Sequence, residues 1–170
     1  MQKALFLDRD GVINVEKDYL YRVEDFEFIE GIFDLITHYQ ILDYKIFVVT
    51  NQSGIARGYY SENDFNNLTQ WMRLQFSEYN IKIEEVYFCP HHPDISGECL
   101  CRKPKPGMIL EATKAYDIDL EHSIMIGDKE RDIEAGLNAG IKETYLFDES
   151  KTVTKSKATK IVSKLEEIWK

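Results

Sequence analysis

The amino-acid sequence predicts a doubly wound α/β fold, in which helices cover both faces of a parallel sheet. Short apolar runs recur along the chain, at Ala4–Leu7, Ile46–Val49, Val86–Phe88, Ile124–Ile126 and Tyr145–Phe147. These runs are continuous rather than alternating, which is typical of strands buried on both faces. Segments with helical periodicity separate them, and this alternation indicates βαβ units in a single parallel sheet.

The segments between the runs place apolar residues on one helical face. Ser61–Asp64 resembles a capping box that opens a helix, Pro106 suits the first position of another, and Gly140 could end a further one. Near the C-terminus, we expect an edge strand at Ile161–Val162 and a final helix opened by a capping box at Ser163–Glu166. The predicted core residues of these helices are Ile32, Leu35, Ile36, Tyr39, Leu42, Phe65, Leu68, Met72, Phe76, Met108, Ile109, Ala112, Ile133, Leu137, Leu165 and Ile168.

Length and composition indicate one globular domain over residues 1–170, because one core can serve that length and no Ser/Gly/Pro-rich linker divides the chain. The hydrophobic share is 44%, the charged share is 30% and the formal net charge is −9. Such a charge should repel nucleic acid and anionic membranes, so we expect neither as a partner. No export signal and no apolar span of about 20 residues is evident, so we expect a cytoplasmic monomer.

Polar side chains directly follow the predicted strands. Asp8 and Asp10 follow the first run, Thr50 the second, Cys89 the third and Asp128 the fourth. Ligands of such sheets bind beyond the carboxyl ends of the strands, so these residues should share one crevice. A single Asp after a strand is more often a helix cap or turn residue. Three converging carboxylates, however, suit Mg²⁺ completed by waters and a substrate phosphate.

These groups could carry out phosphoryl transfer. A carboxylate can attack phosphorus and form an aspartyl-phosphate, and a second carboxylate can protonate the leaving alcohol and later activate water. Gly11 would let backbone amides turn toward the phosphoryl group. The basic turn Arg102–Lys105 lies in an otherwise acidic chain. We interpret this turn as an anion clamp rather than as ordinary solvated surface.

All three cysteines lie in one short segment, residues 89–101. Their odd number argues against a disulfide framework. With one histidine they form a Cys₃His set that describes a closed, structural zinc site, although the spacing alone is only moderate evidence. The alternative is a buried Cys89 with unpaired loop cysteines, and we interpret His92 as a surface residue in an extended segment. The candidate ligands are Cys89, His91, Cys99 and Cys101.

The segments FLDRDGVIN, VVTNQSGIARG, CRKPKPGM and MIGDKERD, in that order, resemble the phosphatases of the haloacid dehalogenase superfamily over residues 3–147. The resemblance implies that Asp8 is the nucleophile and Asp10 the general acid and base. It implies that Thr50 and Lys103 hold the phosphoryl oxygens. It further implies that Mg²⁺ is bound by Asp8, by the backbone carbonyl of Asp10 and by Asp128, with Asp132 supporting the site from behind.

The zinc set resembles two branches of this superfamily, the D-glycero-D-manno-heptose 1,7-bisphosphate 7-phosphatases and the histidinol-phosphate phosphatases. TNQSGIARG and CRKPKPGM are similar to the heptose branch, which implies removal of the 7-phosphate in the supply of heptose for lipopolysaccharide or other surface glycans. The short metal loop 93–98 is closer to the histidinol type, which stays the alternative. The implied partner is a small phosphorylated sugar.

The intervals between the motifs leave no room for a large lid domain, so selectivity must come from loops. The candidate loops are Glu16–Tyr19 and Asn51–Ser53, with Arg57, Arg102 and Lys129. For Glu16, Lys17 and Lys129, ordinary surface chemistry is an equally good interpretation. The residues named individually as candidates for substrate binding are Glu16, Tyr19, Asn51, Gln52, Ser53, Arg57, Arg102 and Lys129.

Two other classes share some of these features. A receiver domain also combines acidic residues, Thr and Lys on an α/β sheet and is phosphorylated on Asp, but it lacks a carboxylate at the position of Asp10 and has no zinc pairs. An inactive zinc-held interaction module is the third interpretation, and the complete set of acidic motifs disfavours it.

Overall fold

The computed structural model describes residues 1–170 and confirms the predicted parallel α/β sheet. Six strands form one sheet in the order β3-β2-β1-β4-β5-β6, and every neighbouring pair is parallel. The strands are β1 Ala4–Leu7, β2 Lys45–Asn51, β3 Ile83–Cys89, β4 Ile124–Gly127, β5 Glu143–Phe147 and β6 Lys160–Val162.

Five α-helices connect or follow the strands, and two of the predicted end signals, at Ser61 and Gly140, act where expected. The Ser61 side chain and the Asp64 side chain cap each other's backbone amides at the start of α2. Gly140, with φ 108°, ends α5 in the left-handed conformation that glycine adopts readily. The helices are α1 Ile32–Ile41, α2 Glu62–Ser77, α3 Pro93–Ser96, α4 Gly107–Tyr116 and α5 Glu130–Ala139, with 3₁₀ turns at Val23–Asp25, Leu120–His122 and Leu165–Ile168.

The sheet separates two apolar clusters, one on each face. Leu5 and Leu7 of β1 pack on the side of α1 and α2, whereas Ala4 and Phe6 pack on the side of α4. All four residues of β1 and all four of β4 are buried, as the continuous apolar runs predict.

Strand order determines where a ligand can bind. The chain runs outward from β1 through β2 to β3 and then returns to place β4 on the other side of β1. A crevice opens at such a reversal, at the carboxyl ends of the strands on either side of it. Between β1 and β2 there is only a 3₁₀ turn and α1, so no large lid covers this end. No helix combines the length and apolarity that crossing a membrane requires.

Several boundary predictions were wrong for local reasons. Leu42 and Leu137 are exposed, by 46% and 37%, because Leu42 lies just beyond the end of α1 and Leu137 lies in the last turn of α5. Pro106 is the residue before α4 rather than its first residue. The final helix is a single 3₁₀ turn, capped by Glu167 and not by Glu166. His92 is half-buried and caps α3, a helix that the sequence pattern did not indicate.

Candidate active site

Three aspartates and one lysine meet where β1 and β4 end. Carboxylate oxygens of Asp8, Asp128 and Asp132 lie within 4.8 Å of one another. The Lys103 ammonium is 2.8 Å from Asp8 Oδ1 and 2.7 Å from Asp132 Oδ1, and it donates to the backbone oxygen of Val49 at 2.8 Å. Lys103 is only 3% exposed, so this ammonium is held almost entirely by protein groups.

Two glycines make room for this cluster. A Cβ at Gly11, where φ is +90°, would lie 2.1 Å from Asp128 Oδ2. A Cβ at Gly127 would lie 2.1 Å from the Cβ of Asp132. Asp132 is in turn held by the start of α5, because its Oδ2 accepts a hydrogen bond from the backbone amide of Lys129 at 3.0 Å. Any larger residue at either glycine would push a carboxylate out of the cluster.

The cluster holds more negative charge than its lysine balances. Burial raises the pKa of Asp8 well above its ordinary value, and the nearby Asp132 carboxylate raises it further. The same two causes raise the pKa of Asp128. Burial lowers the pKa of Lys103, but the Asp132 and Asp8 carboxylates outweigh it and raise that pKa overall. Three carboxylates against one ammonium leave two negative charges, which a divalent cation with oxygen ligands would balance.

The Asp10 side chain lies outside this cluster and is held by a separate set of donors. Arg9 Nη2 is 3.1 Å from both of its oxygens, Asn14 Nδ2 donates to Oδ1 at 3.0 Å, and Gln52 Nε2 donates to Oδ2 at 3.0 Å. Arg9 is 1% exposed and Asn14 is fully buried. The sequence analysis did not single out either residue. The sequence does offer a signal for Arg9, because a basic residue between two aspartates at the end of a strand can pair with one of them.

A crevice of about 320 Å³ opens over these groups. It is lined by Asp8, Asp10, Asp128, Lys103 and all eight candidate substrate-binding residues. Thr50 is fully buried and does not line it, and its hydroxyl accepts a hydrogen bond from Gln52 Nε2 at 2.9 Å. Asp18, which also lines the crevice, lies within the predicted loop Glu16–Tyr19, whereas the sequence analysis did not anticipate two further lining residues, Tyr60 and Arg131.

Aromatic and basic side chains form the rim of the crevice. Tyr19 packs edge-on against Tyr59 with ring centroids 4.8 Å apart, and the Arg57 guanidinium lies 5.7 Å from the Tyr19 ring. Asp18 and Tyr19 adopt positive φ values of 22° and 58°, which a residue with a side chain rarely does. This turn directs the Tyr19 ring toward the rim, where Tyr19 is 42% exposed.

Asn51 fastens the segment that carries Lys103 to the end of β2. Its side-chain oxygen accepts from the backbone amide of Lys103 at 3.0 Å, and its Nδ2 donates to the backbone oxygen of Lys103 at 3.2 Å. The neighbouring Arg102 donates from Nη1 to the backbone oxygen of His91 at 3.4 Å. Lys103 is therefore positioned by a two-point contact on one side and by the cysteine loop on the other.

The cysteines and His91 form a second, compact cluster at the end of β3. Cys89 Sγ lies 3.6 Å from both His91 Nδ1 and Cys99 Sγ and 2.7 Å from Cys101 Sγ, and His91 Nδ1 lies 3.3 Å from Cys101 Sγ. Zinc bonds of about 2.0 to 2.3 Å in a tetrahedron place neighbouring donors roughly 3.3 to 3.8 Å apart. Most of these distances fall in that range, and the donor set suits zinc.

The surroundings of the second cluster make it a closed site. Cys89 is fully buried, and Cys99 and Cys101 pack against the same apolar cluster as α4. A Cβ at Gly107, the first residue of α4, would lie 2.1 Å from the backbone oxygen of Leu100, so the cysteine loop and the helix touch. Burial raises the pKa of Cys99, but the backbone amide of Arg102 and the Cys89 side chain outweigh it and lower the pKa to about 7.

A parallel sheet with acidic side chains at its reversal point, an ammonium between them and no lid defines the class of haloacid dehalogenase-like hydrolases. Comparison with known proteins agrees with this class. The HAD-hydrolase-like family model matches residues 100–167. In structure, the chain is similar to a D,D-heptose 1,7-bisphosphate phosphatase from B. bronchiseptica complexed with magnesium and phosphate. That match has a TM-score of 0.86 at 29% identity and covers 98% of this chain and 95% of the other.

Sequence relatives define the family more narrowly. The chain is 52% identical to the D-glycero-alpha-D-manno-heptose-1,7-bisphosphate 7-phosphatase of Campylobacter jejuni, covering 88% of this chain and 84% of that protein. It is 53% identical to the D-glycero-beta-D-manno-heptose-1,7-bisphosphate 7-phosphatase of Helicobacter pylori, covering 85% and 83%. The chain belongs to the D-glycero-D-manno-heptose-1,7-bisphosphate 7-phosphatase family of haloacid dehalogenase-like hydrolases.

Proposed function

We propose that this protein is a phosphomonoesterase that removes the 7-phosphate of D-glycero-D-manno-heptose 1,7-bisphosphate through an aspartyl-phosphate on Asp8. The observation that carries the proposal is the contact of the Lys103 ammonium with Asp8 Oδ1, at 2.8 Å, on the wall of an open crevice. A carboxylate kept beside a buried cation, and accessible from solvent, is suited to attack an anionic phosphate.

The side chains divide the reaction between them. A free oxygen of Asp8 attacks phosphorus, while the bond from phosphorus to the sugar oxygen breaks and Asp10 donates its proton to that oxygen. Asp10 then takes a proton from water, which attacks phosphorus and releases phosphate and the free Asp8 carboxylate. Lys103 stabilises the charge on the phosphoryl oxygens, and we propose the same role for the hydroxyl of Thr50, which lies directly behind the lining residue Gln52. The anchoring of Asp10 outside the acidic cluster supports this division, because its carboxylate is kept apart from the group that attacks.

The surplus of negative charge in the acidic cluster fits Mg²⁺, which the B. bronchiseptica structure also contains. We propose that Asp8, Asp128 and the backbone carbonyl of Asp10 hold this ion, with Asp132 fixing Lys103 from behind. Bound there, Mg²⁺ would screen the repulsion between carboxylate and phosphate. We propose structural zinc for the Cys₃His cluster, because all four ligand positions come from protein and the cluster packs against the core.

A basic rim supports a substrate with a second phosphate. Four cations line the crevice besides Lys103, in a chain whose net charge is −9: Arg57, Arg102, Lys129 and Arg131. Outside the proposed catalytic groups, only two acidic residues line the crevice, Glu16 and Asp18. A second phosphate gains from the excess of cations among these outer lining residues, whereas histidinol phosphate would bring an ammonium group toward them. The names of the sequence relatives favour the heptose substrate as well.

The anomer is a separate question, because relatives of nearly equal identity carry the alpha name in one case and the beta name in the other. A single assay addresses both questions. Phosphate release should be measured from the two anomers of heptose 1,7-bisphosphate and from histidinol phosphate, with the remaining sugar phosphate identified by NMR. We expect a heptose 1-phosphate product and a much lower kcat/KM for histidinol phosphate. Preferential hydrolysis of histidinol phosphate, or loss of the 1-phosphate, would contradict the proposal.

A further inference from the structure

We infer that Tyr60 is a positioning residue, which acts through Gln52 to orient both Asp10 and Thr50. The Tyr60 hydroxyl donates to Gln52 Oε1. Gln52 Nε2 in turn donates to Asp10 Oδ2 at 3.0 Å and to Thr50 Oγ1 at 2.9 Å. This role rests on the proposed function, because it concerns the groups to which that proposal gives proton transfer and phosphoryl binding.

The chemistry of the acceptors determines which group donates in each of these hydrogen bonds. An ionised Asp10 carboxylate can only accept hydrogen bonds, so the amide nitrogen of Gln52 and not its oxygen must face it. The Gln52 oxygen is thereby turned toward Tyr60, whose hydroxyl supplies a proton to it. If the amide turned over, its oxygen would face the carboxylate. The Tyr60 hydroxyl therefore stabilises one of the two amide orientations.

The surroundings of Tyr60 keep it in the donor form and in place. Burial raises the pKa of Tyr60 to about 12, so its hydroxyl retains its proton at neutral pH. Its ring stacks on Tyr21, with centroids 5.5 Å apart and an interplanar angle of 13°. On another side the ring fills the space beside Gly54, where a Cβ would lie 2.2 Å from a ring carbon. Tyr60 is 7% exposed, and its hydroxyl is already committed to Gln52.

The same amide also determines what Thr50 can do. Thr50 Oγ1 accepts from Gln52, and its own hydroxyl proton has only a long contact of 3.5 Å with the backbone oxygen of Asn51, so a phosphoryl oxygen could take that proton instead. One tyrosine hydroxyl thus orders a proton-transfer group and a phosphoryl-binding group together. Gln52 is 2% exposed, and both its amide nitrogen and its amide oxygen make hydrogen bonds to protein groups. This explains why a polar side chain can be buried beside the crevice.

The test compares two substrates that differ in how much they need a general acid. Heptose 1,7-bisphosphate has an alcohol leaving group that must be protonated, whereas p-nitrophenyl phosphate releases a stable phenolate. We expect Tyr60→Phe to lower kcat/KM for the heptose substrate about tenfold, a fraction of what a positioned acid contributes, and for p-nitrophenyl phosphate by less than about threefold. Tyr21→Phe is the matched control, because its hydroxyl bonds only the exposed Arg22. It should match the wild-type protein on both substrates.

A double-mutant cycle tests whether Tyr60 acts through Gln52. Gln52→Leu should lower kcat/KM for the heptose substrate at least as much as Tyr60→Phe does. Adding Tyr60→Phe to that variant should then change the rate by less than about twofold. Multiplicative losses, an equal loss on both substrates, or an unchanged Tyr60→Phe variant would each overturn this inference while leaving the proposed function intact. Wild-type protein that hydrolysed neither compound would overturn the proposed function, and this inference with it.

Discussion

The acidic cluster and the Cys₃His cluster lie at the same end of the sheet but differ in almost every physical property. The acidic groups end β1 and β4 and open into a crevice of about 320 Å³. None of the Cys₃His residues lines that crevice, and their cysteines pack against the apolar cluster beneath α4. The acidic cluster carries surplus negative charge, and in the proposed Mg²⁺ site it supplies only two side-chain ligands, Asp8 and Asp128. The Cys₃His cluster supplies a full set of four from protein.

This contrast indicates a reactive role for the acidic cluster and a structural role for the Cys₃His cluster. A site with open ligand positions can admit a substrate, and the groups around it must tolerate unbalanced charge until a ligand arrives. A site whose four ligand positions are all filled by protein stabilises the surrounding segments and has no position at which a substrate could bind. The segment that includes Arg102 and Lys103 joins the two, because it leaves the Cys₃His cluster at Cys101 and delivers an ammonium to the acidic cluster. The closed cluster thus positions one component of the open one.

The largest effect that this comparison predicts is on turnover. Asp8→Asn should lower kcat by at least about 10⁴-fold, because an amide cannot form the phosphoryl intermediate. The thermal midpoint should not fall, since the substitution removes a carboxylate whose burial is unfavourable. Phosphate release and a thermal melt measure the two effects. Asp34→Asn, on the exposed side of α1, is the matched control and should retain full activity. Appreciable turnover by the Asp8 variant would mean that another group attacks phosphorus.

The second prediction concerns the Cys₃His cluster, where we expect the main effect on stability rather than on turnover. His91→Ala should abolish stoichiometric zinc and lower the thermal midpoint by about 10 °C, because metal binding contributes directly to folding. Activity that remains should show a raised KM, since Lys103 is carried by the loop. Metal analysis and melting curves measure this, and His92→Ala, which loses only a helix cap, should keep its zinc. A variant without zinc but with unchanged stability and KM would show that the cluster has no architectural role.

The third prediction tests the connection between the two clusters. Asn51→Ala removes both contacts to the backbone of Lys103 and should lower kcat/KM about tenfold, because the ammonium would no longer be held in register with Asp8. Zinc content should not change. Steady-state kinetics and metal analysis distinguish this result from a general loss of structure, and Asn67→Ala on the exposed face of α2 serves as control. Full activity of the Asn51 variant would show that the loop alone positions Lys103.

The smallest predicted effect is a pH dependence of stability that arises in the acidic cluster and that Mg²⁺ suppresses. The pKa values of Asp8 and Asp128 are raised in the folded protein, so the folded state binds more protons than the unfolded state. In protein stripped of Mg²⁺, the free energy of unfolding should therefore fall as pH rises through those values. The thermal midpoint should shift by a few degrees. Melts across pH with and without Mg²⁺ measure it, and a slope that Mg²⁺ leaves unchanged would contradict the site.

Much of the fold and most of the candidate site could be predicted from local patterns. Continuous apolar runs located the strands because β1 and β4 are buried on both faces. They located only three of the seven residues of β3, because five positions of that edge strand are half-buried and its pattern is interrupted by Glu84 and Glu85. The rule that ligands bind at strand ends brought together Asp8 and Asp128, and the basic turn Arg102–Lys105 indicated Lys103; the structure brings all three together.

The parts that could not be predicted depend on how the loops fold back at the ends of the strands. Tyr60 lies in the loop between β2 and α2, and its hydroxyl reaches Gln52 because that loop turns back on itself. Its local sequence does not indicate that the hydroxyl is buried and hydrogen-bonded. Arg9 is charged and yet buried, against the usual preference of arginine for the surface. Its burial makes sense only when Asp10 and the backbone oxygen of Leu20 are seen around it.

The reversal of strand order has a consequence for biosynthesis. Residues 8 and 128 directly follow the adjacent strands β1 and β4, although the chain between them includes both β2 and β3. While a ribosome has delivered only the first three strands, the nascent polypeptide carries the carboxylate that we propose as the nucleophile but neither of its acidic partners nor the strand that supports them. Catalytic competence therefore arises late, and a prematurely terminated product would be inert toward phosphate esters in the cell.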